Sequence, residues 1–195
     1  MVLYVTRHGE TDYNVEMRYA GSTDLPLNET GILQAEELVR RVSGLSLDAV
    51  ICSPLIRARK TAEIVSSALD IPYSVHENFT ERKMGVFEGL KIDEARELYP
   101  ELWHKIRAGD PDAAVPGGET LRQVCNRVDF EMERLLKKYS KKTILLICHV
   151  FVTQAVHRYC HSLPIEEMSD FILKNCEVIK IWKGCRNAKN DFCCG

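Results

Sequence analysis

The chain lacks several things at once. No apolar run in its 195 residues approaches the roughly 18 that a membrane-crossing helix needs, so no membrane partner is expected. No excess of one charge is present. The 26 Lys and Arg stand against 28 Asp and Glu, a net charge of −2, which gives no basis for a nucleic-acid partner. No Cys-x-x-Cys pair occurs among the eight cysteines, so a structural zinc is not expected. Internal repeats, low-complexity segments and interdomain linkers are lacking too, so one domain over residues 1–195 is expected. Met1-Val2-Leu3-Tyr4-Val5 meets Arg7-His8 too soon for a signal-peptide core, with no small-residue cleavage site behind it. The expectation is a cytoplasmic protein.

What is present is a globular composition, 45% hydrophobic and 28% charged. Cys52 and Cys148 sit in apolar strand-like runs, Cys125 on an apolar helical stripe, and Cys160 after an apolar helical turn. Free cysteine is a small buried hydrophobe in such places. Cys185, Cys193 and Cys194 crowd a tail, 184–195, read as loose, with incidental thiols.

Val2–Thr6 is β-rich and apolar, hence a buried strand, and 12–29 reads as a polar loop with one helical turn at most. Ala35, Leu38, Val39 and Val42 mark one face of a helix ending near Gly44. Asp48–Cys52 is a second strand. Ser53-Pro54 reads as N-cap and first position of a helix running to about Leu69. Ile71–Val75 is a third strand. The insert 78–118 is irregular, rich in glycine, with short helices near 92–107. A strong amphipathic helix runs from Leu121 to Leu136. Thr143–Cys148 is apolar throughout, hence buried on both faces; a helix over Val152–Tyr159 and a strand over Glu177–Trp182 follow. Alternating strands and helices predict a three-layer α/β/α sandwich around a mostly parallel sheet.

Three of the strands end in reactive residues: Arg7-His8-Gly9 after the first, Ser53-Pro54 and then Arg57 after the second, and His149 after the fourth. Ligands of open α/β sheets bind at the carboxyl ends of strands. Two histidines and two arginines delivered there make a cationic crevice that suits a phosphate, with Arg forks for its oxygens and a His as nucleophile or positive partner. His76, His104, His157 and His161 lack that placement and read as surface or packing residues; His157 and His161, four apart, have no carboxylate motif beside them to complete a metal site.

Leu3-Tyr4-Val5-Thr6-Arg7-His8-Gly9-Glu10-Thr11, with Asn14 beyond it, resembles the signature of the histidine phosphatase superfamily, the phosphoglycerate mutase-like family. Four further blocks follow in family order. They are Gly21-Ser22-Thr23-Asp24-Leu25-Pro26-Leu27 with Gly31 and Gln34-Ala35; Ser53-Pro54 with Arg57-Ala58 and Thr61-Ala62; Glu81, Gly85 and Glu88-Gly89; and Pro116-Gly117-Gly118-Glu119-Thr120 with Arg127-Val128. His149 matches the second histidine. The resemblance implies a phosphoglycerate mutase-like fold, no cofactor and no metal, and roles residue by residue. His8 becomes the nucleophile, and Arg7, Arg57 and His149 hold phosphoryl oxygens with Asn14 assisting. Gly21, Ser22 and Val150 line the phosphate and substrate site. Glu81 becomes the proton donor and later the base, with Glu88 the next candidate. One departure stands out: Val150 follows His149 where the family usually has Gly.

The resemblance implies a phosphatase acting on a small phosphorylated metabolite through a phosphohistidine. The family's mutases are typically longer and carry an Arg-Arg pair, and 92–116 holds no such pair. Length and block pattern are similar to alpha-ribazole phosphatases and to small broad-specificity phosphatases. The alternatives are phosphoglycerate mutase-type transfer and a catalytically weak module that binds a phosphorylated ligand. The loops 12–24 and 82–116 are where a substrate would be read. Oligomeric state is not legible.

Overall fold

The computed structural model describes residues 1–181. The chain order is β1 (Val2–Arg7), α1 (Asp12–Val15), α2 (Glu29–Val42), β2 (Ala49–Cys52), α3 (Ile56–Leu69), β3 (Tyr73–Val75), α4 (Ile92–Leu98), α5 (Pro100–Arg107), α6 (Leu121–Lys138), β4 (Thr143–Cys148), α7 (Val150–His161) and β5 (Val178–Ile181), with short 3₁₀ turns between. Trp182 and the cysteines of the 184–195 tail lie outside the described residues. No helix among those described is long and apolar enough to cross a membrane.

The five strands form one sheet in the order β3-β2-β4-β1-β5. Four run parallel and β5 lies antiparallel on β1. Successive side chains on a strand face opposite ways, and the core divides accordingly. Leu3, Val5, Ile144, Leu146 and Cys148 pack with Leu121, Val128 and Met132 of α6 and Val152 and Val156 of α7. On the other face, Val50, Cys52, Leu145 and Ile147 meet Ala35 and Leu38 of α2 and Ala58, Ala62 and Val65 of α3. That is the expected α/β/α sandwich. A third cluster holds the 78–118 insert together, with Met84, Phe87, Ala95, Ile106 and Val115 at its centre.

Helix starts differ from expectation. Helix α3 begins at Ile56 with Leu55 as N-cap, not at Pro54. The Ser53 hydroxyl is engaged elsewhere, as described below. Helix α7 begins at Val150, two residues early, so His149 itself is the N-cap. β3 is shorter than the Ile71–Val75 expectation because Pro72 has no N–H for the ladder. The single turn inside 12–29 is α1, over Asp12–Val15.

Candidate active site

β2, β4 and β1 are neighbours and parallel, so their carboxyl ends lie side by side at one edge. Arg7-His8, Ser53 and His149 emerge there together, and α3 brings Arg57 back over the same edge. The His8 and His149 rings lie 5.1 Å apart between centroids. Both rings are almost wholly buried.

The loop after β1 is pinned on all sides. His8 N–H donates to Cys148 O at 3.0 Å, Gly9 N–H to Thr61 Oγ1 at 3.1 Å and Glu10 N–H to Gln34 Oε1 at 2.8 Å. Gly9 faces the Gly31 backbone so closely that any side chain would collide with its carbonyl. His8 Nδ1 lies 2.6 Å from Gly9 O. A carbonyl only accepts, so Nδ1 carries the ring proton. Nε2 is then the lone-pair nitrogen, and it accepts from Arg57 Nε at 3.2 Å. Burial first, and then the Arg57 and Arg7 charges, hold the His8 pKa well below its ordinary value. The ring is held neutral, with its lone pair on Nε2.

Arg57 is 1% exposed. Its Nη1 and Nη2 donate to Thr23 O at 2.7 Å and Gly21 O at 2.8 Å, and burial lowers its pKa to about 10. The guanidinium is thus fixed by carbonyls, leaving its charge free of any carboxylate partner within hydrogen-bond reach. Gly21 meets this need with φ +49°, a conformation other residues resist. Arg7 is lowered mainly by burial too, with Glu81 opposing, and its Nε has no partner among the described residues.

His149 Nε2 sits 2.6 Å from Ser53 Oγ. That hydroxyl oxygen also accepts from Leu55 N–H at 3.3 Å, and its own proton is free to go to His149 Nε2. In that arrangement the ring proton is on Nδ1, which is buried without a partner among the described residues. A donor so placed suits an incoming phosphoryl oxygen. Burial dominates the strong lowering of the His149 pKa, with Arg57 next.

The carboxylates separate cleanly. Glu81 is 7% exposed. Its Oε1 accepts from Arg82 N–H at 2.9 Å and its Oε2 from Phe151 N–H, in the first turn of α7, at 3.4 Å. Burial raises its pKa against the pull of Arg82 N–H and Arg57, so it keeps its proton to higher pH than an ordinary Glu. Glu88 is the opposite case. Ser22 N–H and Oγ and Met84 N–H donate to its Oε1, and Thr23 Oγ1 donates to its Oε2. Burial pushes its pKa up, but these bonds outweigh that and hold it down. Glu88 is a strut that ties the 21–23 loop to the insert. Ser22, expected at the phosphate, has its hydroxyl on this strut. Glu119 is likewise taken, by Arg127 and Lys83 N–H.

Asn14 lies in α1 with Oδ1 accepting from Thr11 N–H at 3.1 Å. Val150 occupies the first position of α7 with helical backbone, half-buried, and packs into none of the three apolar clusters of the described residues. Outside the site, the His157 ring stacks on Phe171 at 4.1 Å. Sequence reasoning missed Ser53 as the partner of His149, Thr61 as the anchor of Gly9, and Asn175, whose Nδ2 reaches His8 O. The only signal for the first two was their place beside Arg57; Asn175 had none.

A family model described as "Histidine phosphatase superfamily (branch 1)" matches residues 3–187. The chain is 35% identical over 145 residues to a Bacillus subtilis protein described as "Uncharacterized phosphatase PhoE", covering 74% of this chain and 69% of that one. It is 30% identical over 179 residues to the Salmonella choleraesuis "Probable phosphoglycerate mutase GpmB", covering 92% and 83%. Among solved structures, Bacillus stearothermophilus YhfR superposes with a TM-score of 0.85 at 29% identity, over 92% of this chain and 89% of that one.

Proposed function

The chain belongs to the histidine phosphatase superfamily, branch 1, and from that premise we propose that it hydrolyses a small phosphomonoester through a phosphohistidine at His8. The observation that carries this reading is the pairing of a His8 Nε2 that accepts from Arg57 with a buried Glu81, held by the first turn of α7, whose pKa burial raises. The first step requires a proton-free nucleophile and a protonated acid, and both shifts run in that direction.

In that step the Nε2 lone pair attacks phosphorus and the bond to the leaving oxygen breaks. The Glu81 proton passes to that oxygen, and the alcohol departs. Arg7, Arg57, the His149 Nδ1–H and the Asn14 amide hold the non-bridging oxygens and offset their charge. In the second step the Glu81 carboxylate takes a proton from water. The water oxygen attacks phosphorus, the P–N bond breaks, and inorganic phosphate leaves with Glu81 again protonated.

A second reading, return of the phosphoryl group to another hydroxyl, is favoured by the relative named as a mutase. Against it stand the absence of an Arg-Arg pair in 92–116 and the name of the Bacillus relative. The test is phosphate release from a panel of phosphorylated metabolites by the native protein and by His8→Ala. Release that survives His8→Ala undiminished defeats the mechanism.

A further inference from the structure

β5 runs antiparallel to β1, so the loop that enters β5 arrives at the same edge as the ends of β1 and β4. Two residues of that loop lie along the catalytic turn. Cys176 N–H donates to Arg7 O at 3.0 Å. Asn175 Nδ2 donates to His8 O at 2.8 Å and to Asn14 Oδ1 at 3.3 Å. Thr11 N–H donates to the same Asn14 Oδ1 at 3.1 Å.

We infer that Asn175 is a positioning residue for the phosphoryl site, holding the His8 carbonyl and turning the Asn14 side-chain amide so that its NH₂ group serves the substrate. The inference rests on the reading that His8 and Asn14 act on a phosphoryl group. A carboxamide has nearly the same shape with its ends exchanged, so only its partners decide which end is oxygen. Two donors converge on Oδ1 of Asn14. That consigns Nδ2 to the other side, and no bond to another described residue takes it up. Reversed, the amide would offer an oxygen to phosphoryl oxygens and repel them. With Asn175 gone, the Thr11 N–H alone opposes that reversal. The second bond of Asn175, to His8 O, steadies the backbone whose next carbonyl, Gly9 O, holds the ring proton on Nδ1. Asn175 touches no reacting atom in this scheme; it acts through Asn14 and His8.

Asn175→Asp tests this because it keeps the size of the side chain and replaces the donor by an acceptor. Asn14 then gains by turning its NH₂ toward the new carboxylate, which aims Oδ1 at the phosphoryl site. The Kd for inorganic phosphate, by titration calorimetry, should weaken about ten- to a hundredfold, as for loss of a hydrogen bond to a charged group. With p-nitrophenyl phosphate KM should rise more than kcat falls. In an Asn14→Ala background the same change should cost clearly less than in the native background, because one of the two residues it acts through is gone and only the bond to His8 O remains to be lost. A cost undiminished in that background would be a bare charge effect of the new carboxylate and overturns the proposal. Phosphate affinity of Asn175→Asp within about twofold of native overturns it too. Should Asn175→Asp fail to fold, the same cycle with Asn175→Ala decides. Phosphate binding needs no turnover, so a native protein without hydrolysis would sink the phosphatase reading while leaving this comparison intact.

Discussion

Arg57 Nε donates to His8 Nε2 at 3.2 Å, and this bond joins a buried guanidinium to the lone-pair nitrogen of the ring. Burial is the first cause of the lowered His8 pKa and Arg57 the second. Arg57→Met removes the second and leaves the first. The acid limb of kcat/KM, where His8 takes up a proton and is lost as nucleophile, should move to higher pH. kcat/KM at its optimum should fall by about a hundredfold or more, since a donor to the developing charge is lost as well. A pH profile with p-nitrophenyl phosphate, beside a melting curve, checks both. An unmoved limb would assign it to another group.

Glu81 supplies the second limb. Its pKa is raised by burial, so the proton it must donate is held above the ordinary Glu range and lost as pH climbs through the raised value. Activity on an alkyl phosphate should therefore decline on the alkaline side. Glu81→Gln should remove that decline and cost far more with an alkyl phosphate than with p-nitrophenyl phosphate, whose leaving group departs without help. Stability has the matching sign. A carboxyl with a raised folded pKa favours the folded state most below the unfolded pKa, and that contribution is lost as pH rises through the folded one. Glu81→Gln should thus melt higher than native protein at pH above the raised Glu81 pKa, with the two converging below it. Equal activity losses on both substrates would move the donor role elsewhere.

The sandwich, and the meeting of Arg7, His8, Arg57 and His149 at one edge, could be read from the chain because each rests on local pattern. Thr143–Cys148 is apolar throughout, and both its faces are covered. Arg7, His8 and His149 directly follow strands, and the neighbouring parallel order of β1, β4 and β2 turns three distant segments into one edge. What escaped depends on tertiary partners. Ser53 carries the residue type and position of an N-cap, yet its hydroxyl goes to His149, 96 residues away. Glu88 and Glu81 look alike as loop carboxylates; only the four donors around Glu88 and the burial of Glu81 separate them. Asn175 precedes a strand whose antiparallel direction no periodicity reveals.

Water, not a second hydroxyl, should receive the phosphoryl group. Incubated with 3-phosphoglycerate and catalytic 2,3-bisphosphoglycerate, the protein should release phosphate or leave the substrate unchanged. Nuclear magnetic resonance of phosphorus distinguishes these from 2-phosphoglycerate formation. Rapid isomerisation would reverse the assignment in favour of the mutase reading.

Val150 tests how the pocket mouth is set. It stands at the first position of α7 with helical backbone, and His149 before it is extended, at φ −133°. Neither needs the left-handed conformation that only Gly takes easily. The backbone donors of the helix start are therefore kept whatever the side chain. The isopropyl group is half-buried and joins none of the three apolar clusters, so it does not pack away into the sheet. The expectation is that it narrows the mouth beside His149. Val150→Gly should then raise kcat/KM for bulky aryl or nucleoside phosphates relative to small ones. The opposing effect is backbone freedom at the helix start, which costs about 1 kcal/mol at most and can loosen His149. A drop in melting temperature with equal losses on bulky and small substrates would be that second effect alone. A flat bulky-to-small ratio with unchanged melting means that Val150 does not line the pocket. If the native protein is inactive and Val150→Gly gains turnover, the chain is better described as a phospho-ligand-binding module whose site Val150 closes.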